Sequence, residues 1–341
     1  MSGGVDSSMA AILLQEQGYE VIGITFLFSG NDQSTHHYAD EARLLASKLQ
    51  IKHIVTDLRD EFDDSVISYF KREYLAGRTP FPCAYCNPRV KFRNLQKYAD
   101  QNGCRYISTG HYVRVGFYNG KKYLFQGEDP DKDQSFFLWG LNQEMVDRLI
   151  LPLGQYHKTE IRSLAKQKGF DKISTKKDSL GVCFIKGNNY RDFLEENGIK
   201  SKPGNFIYHN SEIVGEHQGI TNYTIGQRRG LGIHLNFPVF VSEIRPDENE
   251  IVLAKFEDLY RNSIVIKDYY FIDNEIVDNN KKLIVKVRYR LQETPCRLHI
   301  LDETRAEVEL LKSEAMISPG QTAVFYDGTR LVGGGFIESS S

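Results

Sequence analysis

Ser2-Gly3-Gly4-Val5-Asp6-Ser7-Ser8 opens the chain and leads into a stretch whose apolar residues Met9, Ile12 and Leu13 fall at helical spacing. Glycines at 3 and 4 let backbone N–H groups turn inward, and a helix start adds partial positive charge; together these suit a phosphate. Ser2, Ser7 and Ser8 add hydroxyl donors. A Gly-Ser turn that merely caps a helix has the same composition, so the loop alone leaves both readings open. The residues beyond the loop decide the fold class. A helix is predicted over 7–17 with Gly18 as its stop, then an apolar run over 21–28 that suits a strand buried on both faces. Helices predicted over 39–49, 61–74 and 89–101 alternate with strands over 53–57 and 105–109. Such alternation predicts an α/β fold built on a doubly wound parallel sheet. Phe26 and Gly110 then fall at strand ends beside the switch point, where such sheets bind nucleotides.

After residue 200 the pattern changes to short strand-like pieces separated by Gly, Asn and Asp, including 239–244, 263–266, 282–289, 297–301, 306–311 and 322–326. They predict a small β-barrel at the C-terminal end. The expected domains are a catalytic domain over 1–198, a small central linking domain over 199–258 and the barrel over 259–341. A chain of 341 residues is long enough for two or three such units. Its 40% hydrophobic and 26% charged content is ordinary for a globular protein, and no apolar run reaches the roughly 18 residues of a membrane helix. The formal net charge of −2 does not argue for nucleic acid. RNA binding, however, depends on a local basic face rather than the total. Arg72, Arg78, Arg89, Lys91, Arg93 and Lys97 supply a basic stretch, although a charge run is ordinarily a solvated face.

The five cysteines are too few for a secreted disulfide framework and point to a reducing cytoplasm. Cys83 and Cys86 stand at Cys-x-x-Cys spacing in Thr79-Pro80-Phe81-Pro82-Cys83-Ala84-Tyr85-Cys86-Asn87. That spacing fits a redox pair, half a metal site or coincidence. A helix predicted just beyond would depress a nearby thiol pKa and favour the thiolate. Cys183, in Asp178-Ser179-Leu180-Gly181-Val182-Cys183-Phe184-Ile185, reads by itself as a buried structural thiol. Cys104 and Cys296 match no motif and are expected to be structural.

Taken together, these segments resemble the bacterial tRNA-specific 2-thiouridylases, within the N-type ATP pyrophosphatases whose loop reads Ser-Gly-Gly-x-Asp-Ser. The likeness extends through Thr109-Gly110-His111-Tyr112, Asp131-Lys132-Asp133-Gln134-Ser135, the run Tyr223 to Gly232, Val287-Arg288-Tyr289-Arg290, Pro319-Gly320-Gln321 and Gly333-Gly334-Gly335. In that family a strand precedes the loop, so the first strand of the sheet is expected to be missing here.

The resemblance implies an enzyme that uses ATP and Mg²⁺ to adenylate C2 of the wobble uridine, position 34 of tRNA. Sulfur from a cysteine persulfide then gives 2-thiouridine, AMP and pyrophosphate. By position, Cys183 carries the persulfide and Cys86 resolves it through a transient disulfide. Ser2, Gly3, Gly4, Val5, Asp6 and Ser7, with Phe26 and Gly110, become ATP contacts. Phe81, Pro82, Cys83, His111, Lys132, Asp133, Gln134, Arg288, Tyr289 and Gln321 become tRNA contacts. The implied partners are the anticodon loop of tRNA and a sulfur-carrier protein or sulfide donor, with no membrane. Two departures stand out. Cys83 replaces an Asp proposed as general acid/base, which makes it a candidate catalytic proton relay. It also completes a three-thiol set with Cys86 and Cys183 that could ligate a [4Fe–4S] cluster. Leu180 replaces a Gln common in relatives. An ATP-dependent ligase and a non-catalytic RNA-binding protein are the rival readings; neither requires Cys86 and Cys183.

Overall fold

The helix predicted from residue 7 begins at Val5 and runs to Glu16, with Val5, Met9, Ile12 and Leu13 in one buried cluster with Tyr112, Leu153, Ile161 and Ala165. The computed structural model describes residues 1–29, 33–176, 181–185, 189–208, 212–273, 281–290 and 293–341. Asp178, Ser179 and Leu180 of the third cysteine motif lie outside the described residues. The chain divides into two units, the first made of Met1–Ser65, Cys83–Phe184 and Thr329–Leu331.

In the first unit, β1 (Ile22–Leu27) pairs in parallel with β2 (Lys52–Asp57), and Phe26 lies opposite Thr56. A second parallel pair joins β3 (Ile107–Ser108) to β6 (Leu149–Ile150). The strand predicted over 105–109 is therefore two residues long. Residues 1–4 form no strand, and Met1 lies along β1, where its carbonyl accepts from Thr25 Oγ1 at 2.7 Å. Between β3 and β6 runs an unanticipated antiparallel hairpin, β4 (Val113–Tyr118) and β5 (Lys121–Gln126). Its turn is Asn119-Gly120, both at positive φ, the two-residue signature that favours a tight hairpin. Arg330 pairs with Phe125 of β5 and places its guanidinium 3.7 Å over the Tyr118 ring.

The second unit comprises Val66–Pro82, Ile185–Gly328 and Val332–Ser341. A four-stranded sheet, in the order β8-β7-β10-β9, is built from β7 (Gly204–Tyr208), β8 (Glu212–His217), β9 (Phe240–Arg245) and β10 (Glu250–Ala254). Six strands then close a barrel: β11 (Tyr260–Phe271), β12 (Leu283–Lys286), β13 (Thr294–Ile300), β14 (Arg305–Ala315), β15 (Thr322–Asp327) and β16 (Arg330–Ser340). Their order is β11-β14-β13-β12-β15-β16, and β16 pairs back onto β11. Alternate residues point inward, so Leu283 and Val285 of β12 meet Cys296 and Leu298 of β13 in the core.

β16 is a barrel strand that the sequence pattern conceals, because Gly333-Gly334-Gly335 has the composition of a turn. The structure supplies a reason for two of these glycines. A Cβ on Gly333 would stand 2.3 Å from the Tyr270 carbonyl oxygen, and one on Gly335 would stand 3.0 Å from Ile266 Cδ1.

Cys296 is fully enclosed in this core, and burial pushes its thiol up to about 12. It is the structural thiol expected. Cys296→Ser should lower stability against urea by about 1–3 kcal/mol by burying a hydroxyl. Cys296→Ala, which adds no polar atom, should retain an intact barrel by circular dichroism; equal stability of the Ser variant and wild type would contradict this account.

Candidate active site

The opening loop, Ser2 to Ser8, is organised by its own hydroxyls. Ser8 Oγ donates to the Gly4 carbonyl at 2.7 Å, and the Ser2 backbone N–H donates to Ser7 Oγ at 3.1 Å. Gly3 adopts φ +66, a conformation that favours glycine. Gly110 follows β3 and closes on the loop from the side: a Cβ there would lie 2.6 Å from the Asp6 carbonyl carbon and 2.7 Å from the Ser7 nitrogen. The strand end and the helix start therefore meet backbone to backbone. Phe26 lies at the C-terminal end of β1, with ring contacts to Phe28 at 5.8 Å and Tyr98 at 6.1 Å.

Asp6 is the most heavily engaged side chain of the loop. Lys158 Nζ donates to both its carboxylate oxygens at 2.7 and 2.8 Å, and Tyr112 OH donates to Oδ1 at 2.8 Å. Lys176 Nζ donates to the Gly3 carbonyl at 3.1 Å and also pairs with Glu41. The linear sequence places few cations near the loop; the folded chain brings two. Lys158 lies 152 residues from Asp6 along the chain, so no local pattern could have signalled it. Among the described residues, no three His, Cys, Asp or Glu side chains gather into a metal-holding group, and Asp6 is already occupied by Lys158.

Cys83, Cys86 and Cys183 lie in the same unit. Pro82 begins a short helix, Pro82–Cys86, a position where its missing N–H costs nothing. A π-helical stretch, Asn87–Lys91, and a further helix, Phe92–Gln101, continue it. Cys183 is exposed, and the next residue anchors it: Phe184 is buried against Phe62 at 5.7 Å, which in turn packs on Phe28 at 5.1 Å. This aromatic row ties the Cys183 segment to the end of β1.

All five cysteines are free thiols, including Cys86 and Cys183, which are expected to join only transiently. Burial pushes Cys83 up to about 11 and Cys86 up to about 12, in each case with the neighbouring Cys183 adding to the rise; Lys91 opposes both. Cys183 is raised as well, by desolvation of its sulfur even though the residue as a whole is exposed, and against Lys91. The expected helix-terminus activation is overturned here: a five-residue helix has little dipole, and desolvation outweighs it. Among the described residues the three thiols do not form a metal-holding group, so the structure lends the [4Fe–4S] reading no support.

His111 is buried, with Nδ1 2.7 Å from Thr109 Oγ1 and its ring stacked on Phe92 at 5.8 Å. Burial, with Lys91 nearby, holds its pKa well below the usual value, so the ring is neutral. Asp133 is buried too, accepting from the Gly127 and Ser135 backbone N–H groups at 2.9 and 3.1 Å. Gln134 Oε1 accepts from Tyr112 N–H at 3.0 Å. Both side chains therefore brace the loop from within, while Lys132 beside them is half-buried. The basic stretch is largely spent on protein contacts: Arg89 lies 4.5 Å over Tyr85, and Arg93 pairs with Glu61. In the second unit, Arg78 makes a two-pronged pair with buried Glu73 at 2.6 and 2.8 Å. There Gln321 Nε2 donates to the Thr79 and Pro80 carbonyls at 3.0 and 3.3 Å, steadying the segment that leads to Phe81. Arg288 is partly buried, which lowers its pKa, with Glu314 opposing; Tyr289 is half-buried.

Three family models match in order: a tRNA methyl transferase HUP domain over 1–187, a tRNA methyl transferase PRC-barrel domain over 191–255 and an aminomethyltransferase beta-barrel domain over 261–337. The chain is 45% identical to tRNA-specific 2-thiouridylase MnmA 1 of Bacteroides fragilis strain YCH46, over 100% of this chain and 96% of the relative. It is 44% identical to MnmA 2 of Phocaeicola vulgatus, over 99% and 96%. Against MnmA of Amoebophilus asiaticus the identity is 41%, over 100% and 94%. The chain belongs to the tRNA-specific 2-thiouridylase family.

Two measurements test the site as built. In this 2-thiouridylase family member, Lys158→Met should strand the Asp6 carboxylate and cost about 3 kcal/mol in urea unfolding, the low end for a buried pair because Asp6 retains some exposure. A loss within experimental error would show that the pair is dispensable. For His111, the folded pKa lies below that of the unfolded chain, so the unfolded state takes up the proton first as pH falls. Stability should therefore drop below about pH 6.5, and His111→Gln should flatten that drop by up to about 1.4 kcal/mol per pH unit. His53 and His217 are lowered in the same direction and remain in both proteins, so the difference isolates His111.

Proposed function

We propose that this chain is a tRNA-uridine 2-sulfurtransferase that converts the wobble uridine, position 34, to 2-thiouridine at the expense of ATP. The observation that carries the reading is the joining, in one unit, of a nucleotide loop at a strand end and three mutually interacting thiols. ATP binds along Ser2, Gly3, Gly4, Val5, Asp6 and Ser7, beside Phe26 and Gly110. Its α-phosphate is transferred to the C2 oxygen of uridine, releasing pyrophosphate and making AMP the leaving group. Mg²⁺ would arrive with the nucleotide.

Cys183, the exposed thiol, takes sulfane sulfur from a persulfide-bearing sulfur-carrier protein: its thiolate attacks the carrier's outer sulfur, the carrier's own cysteine thiolate leaves, and Cys183 is left as the persulfide. The terminal sulfur attacks C2 and AMP departs. Cys86 then attacks the Cys183 sulfur, breaking its bond to the transferred sulfur and leaving 2-thiouridine with a Cys86–Cys183 disulfide. An external dithiol reduces that disulfide before the next turnover. Cys83 stands beside this exchange and relays the proton. The anticodon loop is single-stranded, so its base can be turned into a pocket without opening a duplex. Phe81, Pro82, Cys83, His111, Lys132, Arg288 and Tyr289 are the proposed tRNA contacts. Asp133, Gln134 and Gln321 are proposed to shape the contact surface from behind. A domain division at 1–198, 199–258 and 259–341 and a cytoplasmic location go with this reading. Among the described residues no helix is long and apolar enough to cross a membrane.

Incubation of wobble-uridine tRNA with the protein, ATP, Mg²⁺ and a persulfide-bearing sulfur carrier under anaerobic conditions should produce a band retarded in an organomercurial gel. Cys183→Ser should abolish that band while leaving tRNA binding intact. An unshifted tRNA with folded wild-type protein and bound tRNA would sink the reading.

A further inference from the structure

The run Tyr223 to Gly232 lies in the second unit, and neither the nucleotide nor the thiol chemistry makes use of it. Gln227 organises its turn: Oε1 accepts from the Thr224 N–H at 3.2 Å, and Nε2 donates to the Arg229 carbonyl at 3.0 Å. Gly226 N–H donates to the Val241 carbonyl at 2.8 Å, and Val241 N–H donates to the Gln227 carbonyl at 3.0 Å, which laces the turn to β9. Leu231 and Val239 are buried in the core of the four-stranded sheet and pin both ends of the segment between them. Arg228 and Arg229 are thereby held at the surface by a braced turn. Beside them opens a hollow of about 470 Å³ that Arg228, Gly230, His234 and Phe237 help to line.

Arg78, Arg245, Arg297 and Arg305 of the same unit each spend their charge on a carboxylate. Arg228, Arg229 and Lys255 have no carboxylate partner among the described residues. Two of the three lie instead on rings, Arg228 6.0 Å over Phe240 and Lys255 Nζ 5.5 Å over Phe237. The ring surface continues from Phe240 to Phe256 at 5.4 Å and from Phe256 to Tyr260 at 5.7 Å. Phe237, Phe256 and Tyr260 are 38%, 38% and 48% exposed, large apolar areas left in water. Glu257 and Asp258 are the carboxylates next in the chain, and Asp258 turns back to accept from the Lys255 backbone N–H at 3.2 Å.

Unpaired cations interleaved with exposed rings suit a polyanion that also carries planar groups, which is the chemistry of RNA. Guanidinium forks match phosphate oxygens, and ring faces accept bases of any sequence. An acidic protein would match the charges and leave the rings without a purpose. We propose that the Gln227–Arg229 turn is a phosphate-binding site for tRNA, a backbone contact that carries no base readout. The proposal rests on the tRNA reading above and adds a surface to it. It explains how a chain of formal net charge −2 holds a polyanion, because binding follows a local basic face rather than the total.

The test measures equilibrium binding of unmodified tRNA to the full-length chain by filter retention across a salt series, without ATP or a sulfur donor. Arg228→Gln combined with Arg229→Gln should weaken binding about tenfold near about 100 mM salt. The same variant should lower the slope of log affinity against log salt by about two, since each neutralised phosphate contributes about 0.9. Arg228→Lys combined with Arg229→Lys keeps both charges and should keep the slope. Arg245→Gln combined with Arg305→Gln removes equal charge from paired arginines and should also leave the slope unchanged. Equal slopes for wild type and the Arg228/Arg229 glutamine variant, or the same fall in the Arg245/Arg305 variant, would overturn the proposal. No thiolation step enters the measurement, so a chain that binds tRNA this way yet fails to thiolate would refute the reaction and leave the site standing. A wild-type chain that bound no tRNA would remove both.

Discussion

The carboxylate of Asp6, gripped by the Lys158 ammonium and the Tyr112 hydroxyl, is the constraint on which the nucleotide end of the molecule depends. It joins the first turn of Val5–Glu16 to the first turn of Lys158–Gln167, two helices far apart in the chain. Asp129 braces the second partner by accepting from the Lys158 backbone N–H at 2.9 Å. Gly110 closes the same corner by backbone contact, which leaves no space for a side chain. A buried pair of this kind contributes less through net stabilisation than through the penalty for breaking it, because either partner alone would be an uncompensated charge. The loop is thereby held in one shape before any nucleotide arrives.

The sulfur end is governed by a different balance. Cys83 and Cys86 are enclosed enough that desolvation raises both, and proximity to Cys183 adds to the rise. A protein with three clustered thiolates would be vulnerable to uncontrolled oxidation, since the thiolate is the reactive form. Burial favours the protonated thiols, and Lys91 opposes it. Phe184, pinned through Phe62 and Phe28, keeps the exposed Cys183 at the end of β1 without burying it.

Much of the fold was legible from periodicity. The opening helix, β1, β2 and five of the barrel strands fall where the apolar spacing places them, because a side chain's face depends only on its local backbone. Several elements escaped, among them the β4–β5 hairpin, β6, the helix Lys158–Gln167 and β16. Asn119-Gly120 is a strong local hairpin signal inside a stretch that the α/β alternation had absorbed, and Gly333 to Gly335 has turn composition inside a strand. Glycine is ambiguous in sequence: it marks a turn where the backbone needs freedom and a strand where a neighbour needs the space.

The sequence by itself determined the α/β-then-barrel order, the phosphate loop, the three thiols and, through their combination, the family. Each of those depends on residues close together in the chain or on motifs in a set order. Only the tertiary structure decided that Lys158 and Lys176 stand at the loop, that Asp133 and Gln134 face inward and that burial overrides the helix terminus at the thiols. These are outcomes of long-range packing and of solvent exclusion, quantities a linear chain does not carry until it folds.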